Sequence, residues 1–151
     1  TIAEERGLRV LESHKAKAST GGAGSVLSIF LKTSTEEHMV KGAVLHGDAP
    51  RLLQVDGIDV EAPLERSLIY LRNRDVPGVI GKVGTILGEE SINIADFSLG
   101  RRAIDKDVQK ESDQPRQAIA VVHVDGRVPE EVLVKLRQIP AVQQAKAVQL
   151  F

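Results

Sequence analysis

The sequence has no cysteine and no tryptophan, and only one tyrosine and three phenylalanines among its 151 residues. Without cysteine there is no disulfide, no thiolate metal ligand and no cysteine nucleophile, and the composition suits a reducing compartment such as the cytoplasm. So few aromatics leave little from which to build a base-stacking surface. Charge of one sign is missing too: 20 Lys and Arg stand against 21 Asp and Glu, a net −1. That balance offers no basic field to nucleic acid or to an acidic membrane. No apolar run approaches the roughly 20 residues of a membrane-spanning helix. The opening "TIAEERGLRV" carries neither a signal-peptide pattern nor an initiator Met, so the chain is expected to be the tail of a longer polypeptide. Its length suits one or two small domains, each with a modest core.

What is present falls into two rhythms. After a short helix ending at Gly7, the first sixty or so residues alternate strand-like runs with turn chemistry. "VLSIFL" (26–31), 39–46 and 52–55 read as strands, "STGGAGS" (19–25) and "GDAP" (47–50) as turns, and "DGID" (56–59) as another turn. Pro63, in "APLER", marks the best boundary, because proline cannot sit in a central strand. Beyond it the pattern changes. "SLIYLRN" is a strand; Val79, Ile80, Val83, Ile86 and Leu87 then recur at helical spacing, with Pro77 fitted to the first turn. In "INIADFSLGR" Ile92 and Ile94 share one parity and Phe97 and Leu99 the other, a slip that predicts a β-bulge near Ala95 and Asp96. Residues 103–116 are charged and read as an exposed loop. "AIAVVHV" (118–124) reads as a strand buried on both faces. Pro129 opens a second helix with Val132, Leu133, Leu136 and Ile139 inward, Pro140 ends it, and a last strand follows. The order β-α-β-β-α-β predicts an α+β fold, a ferredoxin-like sandwich over 67–151 preceded by a mainly β segment over 1–66.

Motifs for catalysis are missing from this pattern. "STGGAGS" precedes a strand where a phosphate loop needs a helix, and "GVIGKVG" has Val83 where Ser or Thr would be required. There the small residues are expected to let the helix pack closely on the sheet. His14, His38, His46 and His123 lack metal-ligand spacing and read as surface or strand residues. Neither a G-x-S-x-G elbow nor a G-x-G-x-x-G after a strand is present.

Three polar residues stand out at the ends of apolar elements: Asn73, Asp75 and Asn93. Singly, Asp75 reads as a helix cap, Asn73 as an exposed strand residue and Asn93 as a backbone partner at a strand start. Together they suggest a pocket: in the split βαβ topology the end of the first strand, the first helix N-terminus and the start of the second strand are expected at one edge of the sheet. Free N–H groups near Gly78 and Val79 suit an α-carboxylate, while Asp75 and the Asn carbonyls suit an α-ammonium. That chemistry fits a small amino acid.

"NRDVPGVIGKVGTILGEESINIADFSLGR" also resembles a known family, the ACT regulatory domain of D-3-phosphoglycerate dehydrogenases, over residues 67–151. "MVKGAVLHGDAPRLLQVDGIDVEAP" resembles the later part of the intervening (allosteric substrate-binding) domain of the long-form enzymes, so residues 1–66 would be a partial intervening domain. The resemblance implies a parent enzyme that oxidises 3-phosphoglycerate with NAD in the first step of L-serine biosynthesis. Its catalytic residues would lie upstream, leaving this chain without catalytic residues, cofactor or metal. ACT domains of this family pair edge to edge, and L-serine binds at the interface as a feedback inhibitor. The implied effector contacts are Asn73, Asp75, Gly78, Val79 and, from the partner subunit, Asn93. Asn73 stands where relatives carry a larger His or Tyr. Arg51 matches one cation of an anion site in the intervening domain, with Ile58 and Pro63 where others are expected. The other readings are a regulatory chain of L-serine dehydratase and a free-standing amino-acid-binding ACT module.

Overall fold

A computed structural model of the protein describes residues 2–7, 9–12, 26–45, 47–103 and 115–150. The turn expected at 19–25, His14, His46 and most of the charged loop expected at 103–116 lie outside the described residues. A short helix, α1 (Ile2–Glu5), stops before Gly7, whose φ of +73° is left-handed. β1 (Val26–Lys32), β2 (Glu37–Leu45), β3 (Ala49–Val55) and β4 (Ile58–Pro63) form one antiparallel meander in the order β1-β2-β3-β4. Asp56 and Gly57 make its tightest turn, both with positive φ, as a two-residue hairpin between right-twisted strands requires. Pro63 closes the outermost strand, where its missing N–H interrupts no inner ladder.

The second sheet contains β5 (Ser67–Arg74), β6 (Ile94–Arg101), β7 (Gln117–Val124) and β8 (Val142–Gln149) in the order β6-β7-β5-β8, with every pairing antiparallel. Helix α2 (Val79–Glu89) connects β5 to β6, and α3 (Glu130–Arg137) connects β7 to β8. This is the expected split βαβ arrangement, and the chain is α+β. The parity slip in β6 is real: its register against β7 shifts between Ile94 and Asp96. α2 buries Val79, Val83 and Leu87, a narrower stripe than expected, because Ile80 is half exposed. α3 buries Val132, Leu133 and Leu136 and keeps Glu130 and Glu131 in its first turn, where they complement the helix dipole.

Two local expectations are corrected. Pro77 precedes the helix, because Gly78 in a left-handed conformation is the N-cap and the first turn starts at Val79. The helix glycines also mediate no close packing: a methyl group added at Gly81, Gly84 or Gly88 would meet nothing within 4 Å.

The sheet is covered on both sides. Ile69, Leu71, Ala120, Val122 and Val124 pack beneath the helices with Val83, Leu87 and Leu136. On the other face Leu68, Ile119 and Val121 pack against Leu52, Val55, Ile58, Val60 and Ala62 of the first sheet. β7 is therefore buried along nearly its whole length. Each fully buried Ile, Leu or Val contributes about 1.5–3 kcal/mol through its lost exposure. The sheets approach closely at Gly100 of β6, where a Cβ would sit 2.2 Å from the Asp59 carbonyl oxygen and 2.9 Å from the Val60 Cβ.

A polar cluster spans the same joint. Asp56, in the β3–β4 turn, accepts from the Met39 backbone N–H at 2.9 Å, lies 3.0 Å from His38 Nδ1 and forms an ion pair with Arg72 of β5. The second His38 nitrogen lies 3.3 Å from Glu36. Burial pushes the Asp56 carboxyl up, but the Met39 N–H, His38 and Arg72 together hold it below its ordinary value of 3.8. The hydrogen bond to Asp56, then that to Glu36, raises His38 above 6.5. Arg72 Nε is buried with no partner among the described residues, and the guanidinium donates through another nitrogen to Asp56.

Two outcomes follow from the joint. Gly100→Ala should destabilise the chain by about 1–3 kcal/mol in denaturant unfolding, because the clash is with backbone, whereas Gly84→Ala in α2 should be neutral or stabilising by up to ~1 kcal/mol. Equal effects at the two positions would contradict the packing described. The cluster also sets a pH window. His38 has a raised folded pKa, so its contribution is complete below about 6.5 and is lost as pH rises through the raised value. Asp56 has a lowered one, so its contribution is present above about 3.8 and is lost as pH falls through the depressed value. The unfolding midpoint of the wild type should therefore drop from slightly acid to mildly alkaline pH more than that of His38→Gln; parallel profiles would show that His38 adds nothing.

Candidate functional site

The pocket expected around Asn73, Asp75, Gly78, Val79 and Asn93 is divided by the topology. β5 and β6 both pair antiparallel with β7, so they run parallel to each other and α2 carries the chain back across the sheet. The end of β5 and the start of β6 therefore lie at opposite ends of the sheet. Asn73 pairs with Ala118 at the start of β7, while Ile94, next to Asn93, pairs with Val124 at its end. Six residue steps along β7 separate those rows, about 20 Å at ~3.3 Å per residue. Within one chain Asn93 does not join Asn73 and Asp75, which corrects the expectation that all three share an edge. It is fixed instead to the β7–α3 connection: its Nδ2 donates to Asp125 Oδ2 at 2.7 Å and its carbonyl accepts from the Asp125 N–H at 3.1 Å.

The other residues do converge. Asn73 lies on the central strand, on the helix-facing side that Ile69 and Leu71 share, and is buried, not exposed. Its Nδ2 donates to the Arg74 carbonyl at 2.8 Å. A register shift between β5 and β8 falls between Arg72 and Asn73, where β5 gives way to the turn. Asp75 follows, tied by its N–H to the Arg116 carbonyl at 2.7 Å. It is not a helix cap. Gly78 holds that position, and no side chain bonds the helix start. Gly78 is exposed with open space where a Cβ would be, and Val79 is buried against the sheet. The first N–H groups of α2 have no intrahelical acceptors, so this end presents donors and partial positive charge.

One residue of this end was not anticipated. Arg101, the last residue of β6, places Nε 3.2 Å from Asp75 Oδ2. The register puts it in the same row as Asn73, with Ala118 of β7 between them. Parity was the available signal, since Arg101 shares the phase of Phe97, which packs on the helix side. The side chain of Arg101 is 61% exposed and that of Asp75 25%, so the pair is worth only about 0–1 kcal/mol.

The end is open as well as polar. A cleft of about 720 Å³ lies at the far end of the sheet against β8 and α3, and one of about 440 Å³ lies beside the Asp56 cluster. Neither is lined by Asn73, Asp75, Gly78 or Val79. In the first sheet Arg51 pairs with Glu61 at 3.3 Å; Ile58 is fully buried and Pro63 is Arg51's ladder partner, so neither adds a cation beside it. His38 belongs to the joint, and His123 is buried on β7 with neither ring nitrogen hydrogen-bonded among the described residues and Asp96 Oδ2 3.7 Å from Nδ1. Among the described residues no group of three or more His, Asp or Glu is placed to hold a metal ion, and no helix is long and apolar enough to cross a membrane.

Comparison with known proteins agrees with this architecture. Residues 67–141 match the family described as ACT domain, and this half of the chain belongs to that family. The chain is 29% identical over 148 residues to a D-3-phosphoglycerate dehydrogenase of Synechocystis, covering 98% of this chain and 24% of the relative. It is 29% identical over 149 residues to the enzyme of that name from Methanocaldococcus jannaschii, covering 99% and 26%. It is 33% identical over 154 residues to D-3-phosphoglycerate dehydrogenase 3, chloroplastic, of Arabidopsis thaliana, covering 95% and 24%. The chain thus spans about a quarter of the length of these relatives.

Proposed function

We propose that this chain, whose second half is an ACT domain, is the regulatory portion of a D-3-phosphoglycerate dehydrogenase and binds L-serine at the interface between two copies. The parent would oxidise 3-phosphoglycerate with NAD in the first step of L-serine biosynthesis, in the cytoplasm, and serine would inhibit it. The observation that carries the reading is the divided site. Asn73, Asp75 and the open start of α2 sit at one end of the sheet, and Asn93 sits at the other. A second copy restores the missing wall. Among the described residues β6 is an edge strand, with no strand paired on its outer side. Two β6 strands running antiparallel about a two-fold axis set Ile94 of the second copy opposite Arg101, and Asn93 of the second copy arrives beside Asp75.

The chemistry at such a site favours a zwitterion. Donors at the start of α2 face the carboxylate, and Asp75 with the Asn carbonyls faces the ammonium. Asn73 is short enough to leave room for a side-chain hydroxyl. Ligand bridging two copies favours the paired state by its differential affinity, and that bias would reach the rest of the parent through the first sheet packed on β6. A coupling of a few kcal/mol is sufficient for strong inhibition.

Calorimetry on single and mixed variants tests this. Asp75→Ala and Asn93→Ala should each weaken L-serine by about 10–100-fold, the loss expected for a hydrogen bond to a charged group. Mixed in equal amounts and allowed to exchange, the two should regain tight binding at about one quarter of the sites, because half the pairs are mixed and each mixed pair has one intact site. Asn93→Ala binding serine as the wild type does would remove Asn93 from the site, and a mixture that regains nothing would place Asn93 in the site of its own chain.

A further inference from the structure

Arg101 has no part in the site as composed from Asn73, Asp75, Gly78, Val79 and Asn93, yet it is paired with one of them, Asp75. Its guanidinium holds Asp75, the carboxylate that the ligand's ammonium needs, at 3.2 Å. It shares a row with Asn73 across a single intervening strand, so the two side chains rise from the same face about 10 Å apart, two strand spacings. Ala118, itself fully buried, lies between them in that row. Arg101 is also the terminal residue of the edge strand that a second copy would pair with, and its side chain is mostly exposed.

We infer that Arg101 is a specificity-determining residue that exchanges partners when the ligand binds. This inference rests on the amino-acid-binding reading above. The α-ammonium replaces the guanidinium on Asp75, and the released guanidinium takes the α-carboxylate with the planar, paired N–H donors that suit it. A ligand with an ammonium alone displaces Arg101 and gives it nothing in return. A ligand with a carboxylate alone meets Asp75 across the site and must compete with it for the same guanidinium. Only a molecule carrying both groups at α-amino-acid spacing satisfies both side chains at once. The exchange therefore selects free α-amino acids against amines, amides and hydroxy acids of the same size. It also places the guanidinium, once turned, at the seam between the two copies.

Calorimetry on the full chain with L-serine, L-serinamide and L-glycerate separates the roles. The wild type should bind L-serine and discriminate strongly against the amide, which keeps the ammonium and hydroxyl but has no carboxylate. Arg101→Gln should lose L-serine by at least about 10-fold while L-serinamide changes little or improves, so the preference for the acid collapses. Arg101→Lys should recover part of the serine affinity, since it restores the charge without the planar fork. Thermal unfolding of each variant confirms that the fold is intact. If the wild type binds serine and Arg101→Gln binds it equally well, or loses acid and amide in parallel, Arg101 is not the carboxylate partner and the amino-acid site stands without it. If the wild type binds no serine at all, the underlying reading and this inference fail together.

Discussion

The structure depends on a single sheet that is buried on both faces. β5 and β7 carry aliphatic side chains on each side, so neither the helices nor the first sheet alone can cover them. That demand brings the Asp56 turn over Arg72 and presses β4 onto β6 until Gly100 meets the Asp59 backbone. The ion pair between Asp56 and Arg72 is the polar counterpart of that packing. Removing Asp56 leaves a half-buried guanidinium with an unpartnered Nε, so the joint tolerates loss of neither component well.

The same constraint divides the work along β6. One face of this strand carries Gly100 against the first sheet, and the next residue, Arg101, points to the opposite face and meets Asp75. Among the described residues no strand pairs with its outer edge. A strand placed in this way has three neighbours: the joint, the polar end of the sheet and, in the assembly proposed here, a second copy. Since packed interfaces rearrange between discrete states rather than deform continuously, a ligand that changes how β6 pairs has a mechanical route to the first sheet.

Much of this was legible in the sequence. Periodicity located every helix and strand of the second half, and the parity slip of Ile92 and Ile94 against Phe97 and Leu99 located the bulge. The double burial of residues 118–124 followed from their unbroken apolar run. What failed were judgements that depend on partners across the sheet. Asp75 looked like a cap because it precedes a helix, but the left-handed Gly78 took that place. Asn93 looked like a neighbour of Asn73 because both sit at strand ends, but a crossover helix returns the chain to the opposite end. Glycines in α2 looked like packing devices, yet among the described residues the glycine that permits close approach between the sheets is Gly100 in a strand, where the sequence shows only "SLGR". No local pattern could announce the Asp56–Arg72 pair, because it exists only through the docking of two sheets.

The central claim is that the ligand site is completed by a second copy, so binding and pairing must be linked. Sedimentation equilibrium of the chain across a range of concentrations, with and without saturating L-serine, measures that linkage directly. The account predicts a tighter pairing constant in the presence of L-serine, with D-serine at the same concentration having much less effect. A pairing constant unmoved by L-serine, or a serine-saturated chain that remains a monomer, would contradict it.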